Sequence, residues 1–306
     1  MEFACQLNRR DFARASAIAA VAASSLPAAE NKGYIDAHVH VWTPNTKRYP
    51  LDASFKEEEM QPTSFTPKQL FAHCHPVGVD RIVLIQMSFY RFDNSYMLDM
   101  MEQHPGVFGG VAVIDENNRP AQEMVKLARQ GVRGFRIRPE AQNPDQWLSG
   151  DGMHEMWKVG AKHGLAMCHL IDAEFLGSVD KMCERYPDTP VVIDHFARIG
   201  VDGQIRENDV AALCGLAKHK NVTVKLSAYY ALGKKAAPYQ DLLPMIKTCI
   251  DAYGVERLMW ASDGPFQVVG GHEYAPSFNL IQDADFLSDG DKEWLLRRTA
   301  ERVFYS

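Results

Sequence analysis

Residues 34–42 read YIDAHVHVW, from Tyr34 to Trp42. The run is extended and apolar, and Asp36, His38 and His40 interrupt it. On a strand, side chains two apart project to the same side, so His38 and His40 aim both imidazoles at one point while Ala37 and Val39 face the other way. Two converging imidazoles suit the gripping of a metal or a substrate from the floor of a barrel.

Seven further runs of the same kind follow: RIVLIQM from Arg81, VFGGVAVI from Val107, VRGFRIR from Val132, LAMCHLI from Leu165, TPVVIDH from Thr189, VTVKLS from Val222 and RLMWAS from Arg257. Helical patterns lie between them, such as AQEMVKLARQ from Ala121, MHEMWKVGAKH from Met153 and FLGSVDKMCERY from Phe175, and several close on Gly or just ahead of Pro, as helix ends do. Eight alternations of strand and helix predict an α/β fold, a (β/α)8 TIM barrel, with an open doubly wound sheet as the alternative. No internal boundary or low-complexity linker interrupts residues 30–306, which read as a single domain.

With 306 residues, a net charge of −6 and lysines and arginines dispersed along the chain, no basic face offers itself to nucleic acid, and small-molecule chemistry is expected. Asn8, Arg9, Arg10, Asp11 and Phe12 precede an alanine-rich stretch from Ala15 to Ala23, then SSLPAAE. That order of charge, apolar stretch and small residues reads as a twin-arginine export signal over residues 1–29, with maturation near Glu30 and a periplasmic destination. No later run approaches the ~20 apolar residues of a membrane span, so membrane insertion of the mature chain is not expected. Cys5 falls in the signal, and the odd, widely spaced set Cys74, Cys168, Cys183, Cys214 and Cys249 reads as buried thiols rather than a disulfide framework. The sequence leaves room for a homo-oligomer.

A barrel places its chemistry at the C-terminal ends of its strands. His38 and His40 end the first, Arg136 and Arg138 the fourth, His169 the fifth, His195 the sixth and Ser227 the seventh, and Asp263 of WASDGPF follows the eighth. Arg136 and Arg138 share a strand face, where a guanidinium fork pairs well with a substrate carboxylate. Gln86, Tyr90 and Asn94 in QMSFYRFDN are candidates for substrate hydroxyls, Ser227 is a further substrate-binding candidate, and Arg198 of DHFARIG is a further anion-binding candidate. Together they point to a polar or anionic substrate. The long segments after the first and last strands exceed common loop lengths and are expected to shape the mouth.

From DAHVHVW through GVRGFRIRP, PVVIDHFAR and NVTVKLSAYY to ERLMWASDGPF and TAERVF, the chain resembles the metal-dependent amidohydrolase superfamily. Within it, the likeness is to the lactonase-like members of the amidohydrolase 2 branch, hydrolases of sugar lactones and of pyrone dicarboxylate. The resemblance implies His38, His40, His169 and Asp263 as ligands of one divalent metal, zinc or manganese, with zinc the first expectation. It also implies His195 as the group that orients or deprotonates water, and Asp263 as the base that relays the proton to the leaving oxygen. FRIRPE at the fourth strand supplies no Lys where binuclear relatives carry a carboxylated one, so a mononuclear site is expected. Some of these relatives work without metal, and the same resemblance then makes His38, His40 and His169 hydrogen-bond donors to the developing oxyanion. Both versions predict hydrolysis of a small lactone. Other members of the branch imply a decarboxylase of an aromatic or unsaturated carboxylic acid, and a non-catalytic exported binding barrel is the third reading.

Overall fold

Each of the eight apolar runs forms a strand in the computed structural model, which describes residues 33–139 and 146–306. The export-signal reading of residues 1–29 lies outside the described residues. The strands are β1 (Tyr34–Val39), β2 (Val79–Ile85), β3 (Phe108–Ala112), β4 (Val132–Ile137), β5 (Ala166–His169), β6 (Val191–Ile193), β7 (Val222–Leu226) and β8 (Leu258–Trp260). Between them run α1 (Pro67–Cys74), α2 (Ser95–Gln103), α3 (Pro120–Arg129), α4 (Asp151–His163), α5 (Leu176–Arg185), α6 (Glu207–Gly215) and α7 (Leu243–Tyr253). After β8 come α8 (Tyr274–Gln282), α9 (Asp289–Glu293) and α10 (Thr299–Phe304). The starts and stops have local causes. Pro67 occupies the first turn of α1 behind a Thr66–Gln69 capping box, and Gly164, at φ +65°, ends α4 in the left-handed conformation that glycine adopts without strain.

The strands pair in sequence order, all parallel. The ring closes where Val39 bridges Gly264. There the Asp263 N–H donates to the His38 carbonyl at 2.9 Å and the His40 N–H to the Gly264 carbonyl at 2.8 Å. Asp36 clasps the same seam, accepting from the Ser262 N–H at 2.9 Å and the Tyr274 hydroxyl at 2.6 Å. Burial pushes its carboxyl up to about 6, against the pull of those hydrogen bonds. The architecture is the expected (β/α)8 barrel.

Strands buried on both faces explain why the runs read as continuously apolar. One face fills the barrel interior, where Ile35, Ala37, Val83, Ile85, Val111, Ala166, Cys168, Val192, Met259 and Ala261 pack together with Phe304 of α10. The other face, including Val39, Phe135, Met167, Ile193, Leu226 and Trp260, packs against helix residues such as Leu70, Trp157 and Leu213. In β1 the expected alternation is corrected. Asp36 pairs with Ile82 and Val39 with Leu84, so three steps on β1 match two on β2, a bulge. Ala37 therefore stays in the interior with Ile35, Val39 joins the outer layer, and His38 and His40 both turn to the mouth. No helix among the described residues is long and apolar enough to cross a membrane, and Cys74, Cys168, Cys183, Cys214 and Cys249 are free thiols.

Candidate active site

Past β6, β7 and β8 the chain turns sharply, in each case through non-glycine residues in the left-handed region. His195, Phe196, Ala197 and Arg198 follow one another at φ +54°, +52°, +53° and +55°, Ala228 stands at +59° and Asp263 at +66°. Each such residue costs about 1–2 kcal/mol, a strain that persists only where the surroundings over-determine it. These turns hold His195, Tyr230 and Asp263 over one point at the barrel mouth.

Asp263 is the centre of the cluster. Its Oδ1 lies 3.5 Å from Nε2 of His38 and 3.5 Å from Nε2 of His40, and its Oδ2 lies 3.8 Å from Nε2 of His195. The Tyr230 hydroxyl donates to Oδ2 at 2.8 Å, while Oδ1 is buried and has no hydrogen-bond partner among the described residues. Burial penalises the Asp263 charge, yet the imidazoles of His195, His40 and His38 outweigh it and hold the carboxyl below the ordinary range. His195 titrates below its usual value because it is buried, with Asp263 and Asp194 opposing. At neutral pH the geometry therefore sets a carboxylate against the uncharged imidazoles of His38 and His195.

The hydrogen bonds behind those rings fix their tautomers. His40 Nδ1 lies 2.9 Å from the Ile85 carbonyl and must donate to it, which turns Nε2 toward Asp263. Ser227 donates to the Lys225 carbonyl at 3.4 Å and accepts from His195 Nδ1 at 2.8 Å, so Nε2 of the neutral His195 is a bare acceptor. The lone pair of His195 and the anionic carboxylate of Asp263 thus converge, an arrangement that calls for a positive charge. A proton or a metal ion satisfies it. His38, His195 and Asp263 each offer a ligand atom within 4.8 Å of the others, so the cluster can bind a metal.

Beneath it lies a buried ionic lattice that the sequence reading did not single out. Lys225 is 0% exposed. Its Nζ sits 3.0 Å from Asp194 Oδ1 and 3.3 Å from His38 Nδ1. Arg136 donates through Nη2 to Asp194 Oδ2 at 3.1 Å and to His38 Nε2 at 2.8 Å. Burial opposes ionisation of Asp194, but Lys225, His38 and Arg136 hold its carboxyl well below the ordinary range. His38 is driven well below its usual value by burial first and then by Lys225. A signal was present in the sequence: Lys225 interrupts a strand buried on both faces, two residues before Ser227, and charges in such strands are rare unless paired. Tyr230 carried no such signature, because it lies beyond the strand in a turn.

The other sequence candidates scatter. His169 does not join the donor group. Ala166 and Cys168 face the interior, so alternation turns His169 outward, against Trp147 and Trp157 at ring distances of 5.5 and 5.6 Å, with neither ring nitrogen hydrogen-bonded among the described residues. Ser227 holds His195 rather than facing the cavity. Gln86 donates to the Asp93 carbonyl at 2.6 Å and Asn94 to the Val113 carbonyl at 2.9 Å, so both brace the loop after β2. Tyr90 is buried against Phe89 and Tyr96. Arg198 is exposed and pairs with Asp172 at 3.0 Å, and Arg138 is exposed at the outer rim.

Two cavities meet at the mouth. The inner one, about 250 Å3, is bounded by His40, His195, Asp263, Tyr230, Arg198 and Arg136 with Met87, Leu170 and Phe266 as apolar walls. The outer one, about 440 Å3, takes in Gln86, Arg91, Phe92 and Arg138 and shares Ser88, Arg136 and Leu170 with the first. A larger groove of about 730 Å3 lies around Arg133, Phe304 and Tyr305. It gathers no imidazole or thiol, so size does not locate the chemistry.

Residues 35–305 match the amidohydrolase family. The chain is 29% identical to an L-fucono-1,5-lactonase of Burkholderia ambifaria over 248 residues, covering 78% of this chain and 82% of that protein. It is 27% identical to a 2-pyrone-4,6-dicarboxylate hydrolase of Comamonas testosteroni over 260 residues, covering 82% of each. A crystal structure of an amidohydrolase from Burkholderia multivorans with bound zinc superposes with a TM-score of 0.74 at 19% identity, covering 89% of this chain and 99% of that one, a likeness of fold.

Proposed function

Because the chain belongs to the amidohydrolase family, we propose that it is a lactonase, opening a small polar or anionic cyclic ester by attack of water with Asp263 as the base. One observation carries the reading: a buried carboxylate at the wall of the inner cavity, with Oδ1 unpartnered among the described residues and imidazoles on either side of it. The named activities of the relatives from Burkholderia ambifaria and Comamonas testosteroni, both lactone hydrolases, support it. The lactone lies between Met87, Leu170 and Phe266, with Arg136 and Arg198 on the polar side for its carbonyl oxygen or a carboxylate substituent. His195, steadied by Ser227, orients the water through Nε2. As the water oxygen bonds to the carbonyl carbon, Asp263 takes its proton. The bond from that carbon to the ring oxygen then breaks, and Asp263 returns the proton to the ring oxygen, leaving a hydroxy acid.

The donor set of His38, His195 and Asp263, with His40 beside it, fits a single divalent ion, and nitrogen and oxygen donors of this kind favour zinc. When bound, such an ion supplies Lewis-acid polarisation at oxygen and lowers the pKa of water. A version of the hydrolysis that needs no ion is favoured by a separate observation. The Arg136 guanidinium, 2.8 Å from His38 Nε2, already occupies the lone pair that His38 would give to a metal.

The test is ring opening of L-fucono-1,5-lactone and 2-pyrone-4,6-dicarboxylate by the full chain, followed by acid release, together with elemental analysis before and after chelation. Turnover is expected on at least one of them, and Asp263→Asn should lower kcat by about 10²–10⁴ while the protein stays folded. Turnover by Asp263→Asn near the wild-type rate removes Asp263 from the chemistry. Metal-free protein with undiminished turnover removes zinc and leaves hydrolysis standing.

A further inference from the structure

Tyr230 lies outside every role assigned so far, yet it supplies the shortest polar contact that Asp263 makes, 2.8 Å from Oη to Oδ2. It reaches that place because the chain leaves β7 through Ala228 at φ +59° and enters a tight turn at Tyr229–Ala231. Tyr229 goes into the core and Tyr230 to the cavity wall. Its ring packs 6.3 Å from Phe266 and 6.0 Å from His272. His272 is itself fixed, since Tyr239 donates to its Nδ1 at 3.0 Å and Gln267 donates to the Tyr239 oxygen at 2.9 Å.

A carboxylate rotates about its last torsion in a broad, twofold well, so nothing in Asp263 alone distinguishes its two oxygens. The surroundings do distinguish them. Oδ2 receives the phenol hydrogen, and Oδ1, without a partner among the described residues, faces His38 and His40. We propose that Tyr230 is a positioning residue that divides the work of the two oxygens of Asp263: the phenol holds Oδ2, so that Oδ1 alone accepts the water proton and returns it. The phenol itself keeps its proton throughout, because burial and the neighbouring Asp263 charge push its ionisation far above the ordinary range. This role rests on the hydrolytic reading of the site.

Tyr230→Phe keeps the ring and removes only the hydrogen bond. With the better of the two lactones above, kcat should fall about tenfold to a hundredfold, the usual effect of a lost hydrogen bond to a charged group, with KM within about threefold of wild type. The same change made on Asp263→Asn should lower the residual rate less than about twofold, since the two side chains act through one another. A crystal structure of Tyr230→Phe should show the Asp263 carboxylate rotated, or Oδ2 taken by water. A kcat near wild type, an equal loss on the Asp263→Asn background, or an unmoved carboxylate with no water at Oδ2 each overturns the proposal. If the wild-type chain opens neither lactone, the hydrolytic reading fails by itself, and the Tyr230→Phe structure still decides whether the phenol holds the carboxylate.

Discussion

At the tip of β1, His38 is engaged on both ring nitrogens: Nε2 accepts from Arg136 at 2.8 Å and Nδ1 faces the Asp194 carboxylate at 3.4 Å. At the tip of β5, the His169 ring makes no hydrogen bond among the described residues and sits between Trp147 and Trp157. Both rings are fully buried and both are kept neutral. Burial alone takes His169 down to about 3 against the pull of Asp194, whereas His38 is held down by burial and by the cations around it. The same direction of shift therefore has different meanings. One ring is a working acceptor in an ionic lattice, and the other is a polar ring in an apolar seam. What separates them is one residue of strand parity. The bulge between Asp36 and Val39 turns His38 inward, and β5 has no irregularity in its pairing to do the same for His169.

The largest expected effect tests that separation directly. His195→Gln should lower kcat for ring opening by about 10²–10⁴, because the Nε2 acceptor facing Asp263 is lost. His169→Leu should leave kcat within about threefold and should not lower the melting temperature, since it replaces two unpartnered buried nitrogens with hydrocarbon of similar size. Steady-state kinetics and thermal melts of the two variants measure both. Equal losses of turnover would place His169 in the mouth and erase the contrast.

A smaller effect concerns the lattice under His38. Lys225→Met strips the fully buried Asp194 of the cation 3.0 Å away and should cost about 3–5 kcal/mol, read as a fall in the urea midpoint. The exposed pair Arg198–Asp172, at the same 3.0 Å, is the internal control, because Arg198→Met should cost less than about 1 kcal/mol. If the two substitutions cost the same, the lattice is no drier than the rim.

The fold was legible because eight strands buried on both faces leave eight uninterrupted apolar runs, and no loop chemistry can disguise them. The strand-end rule likewise found His38, His40, His195 and Asp263, whose side chains the structure brings together. It misplaced His169 because position along a strand is readable from a sequence, while the face a terminal residue presents turns on one residue of register. It also gave Gln86, Asn94 and Ser227 to the substrate, where the structure spends them on the Asp93, Phe92 and Val113 carbonyls and on His195. A loop amide that braces its own loop looks the same in sequence as one that meets a ligand. Asp194 and Lys225 needed pairing across the barrel to become visible, and Tyr230 needed the left-handed turn at Ala228.

The smallest effect is the pH dependence, and its sign follows from which form of each group works. His195 must be neutral to accept at Nε2, and its folded value lies below the ordinary 6.5. Asp263 must be ionised, and its value lies below the ordinary 3.8. Half-protonation of either group is therefore reached only below pH 6.5, and kcat/KM should change less than about twofold between pH 8 and pH 6.5. A solvated imidazole would already be half protonated at the lower end of that range. A rate profile with its midpoint at 6.5 or above would mean that His195 is wetter than its buried position beside Ser227 and Asp263 allows. The mouth would then share the surface's electrostatics, and a neutral ring there could not be set against a neutral ring at His169 as two outcomes of burial. A flat profile that breaks only in acid keeps both rings dry, so that partners rather than protonation state distinguish the acceptor at the mouth from the one in the wall.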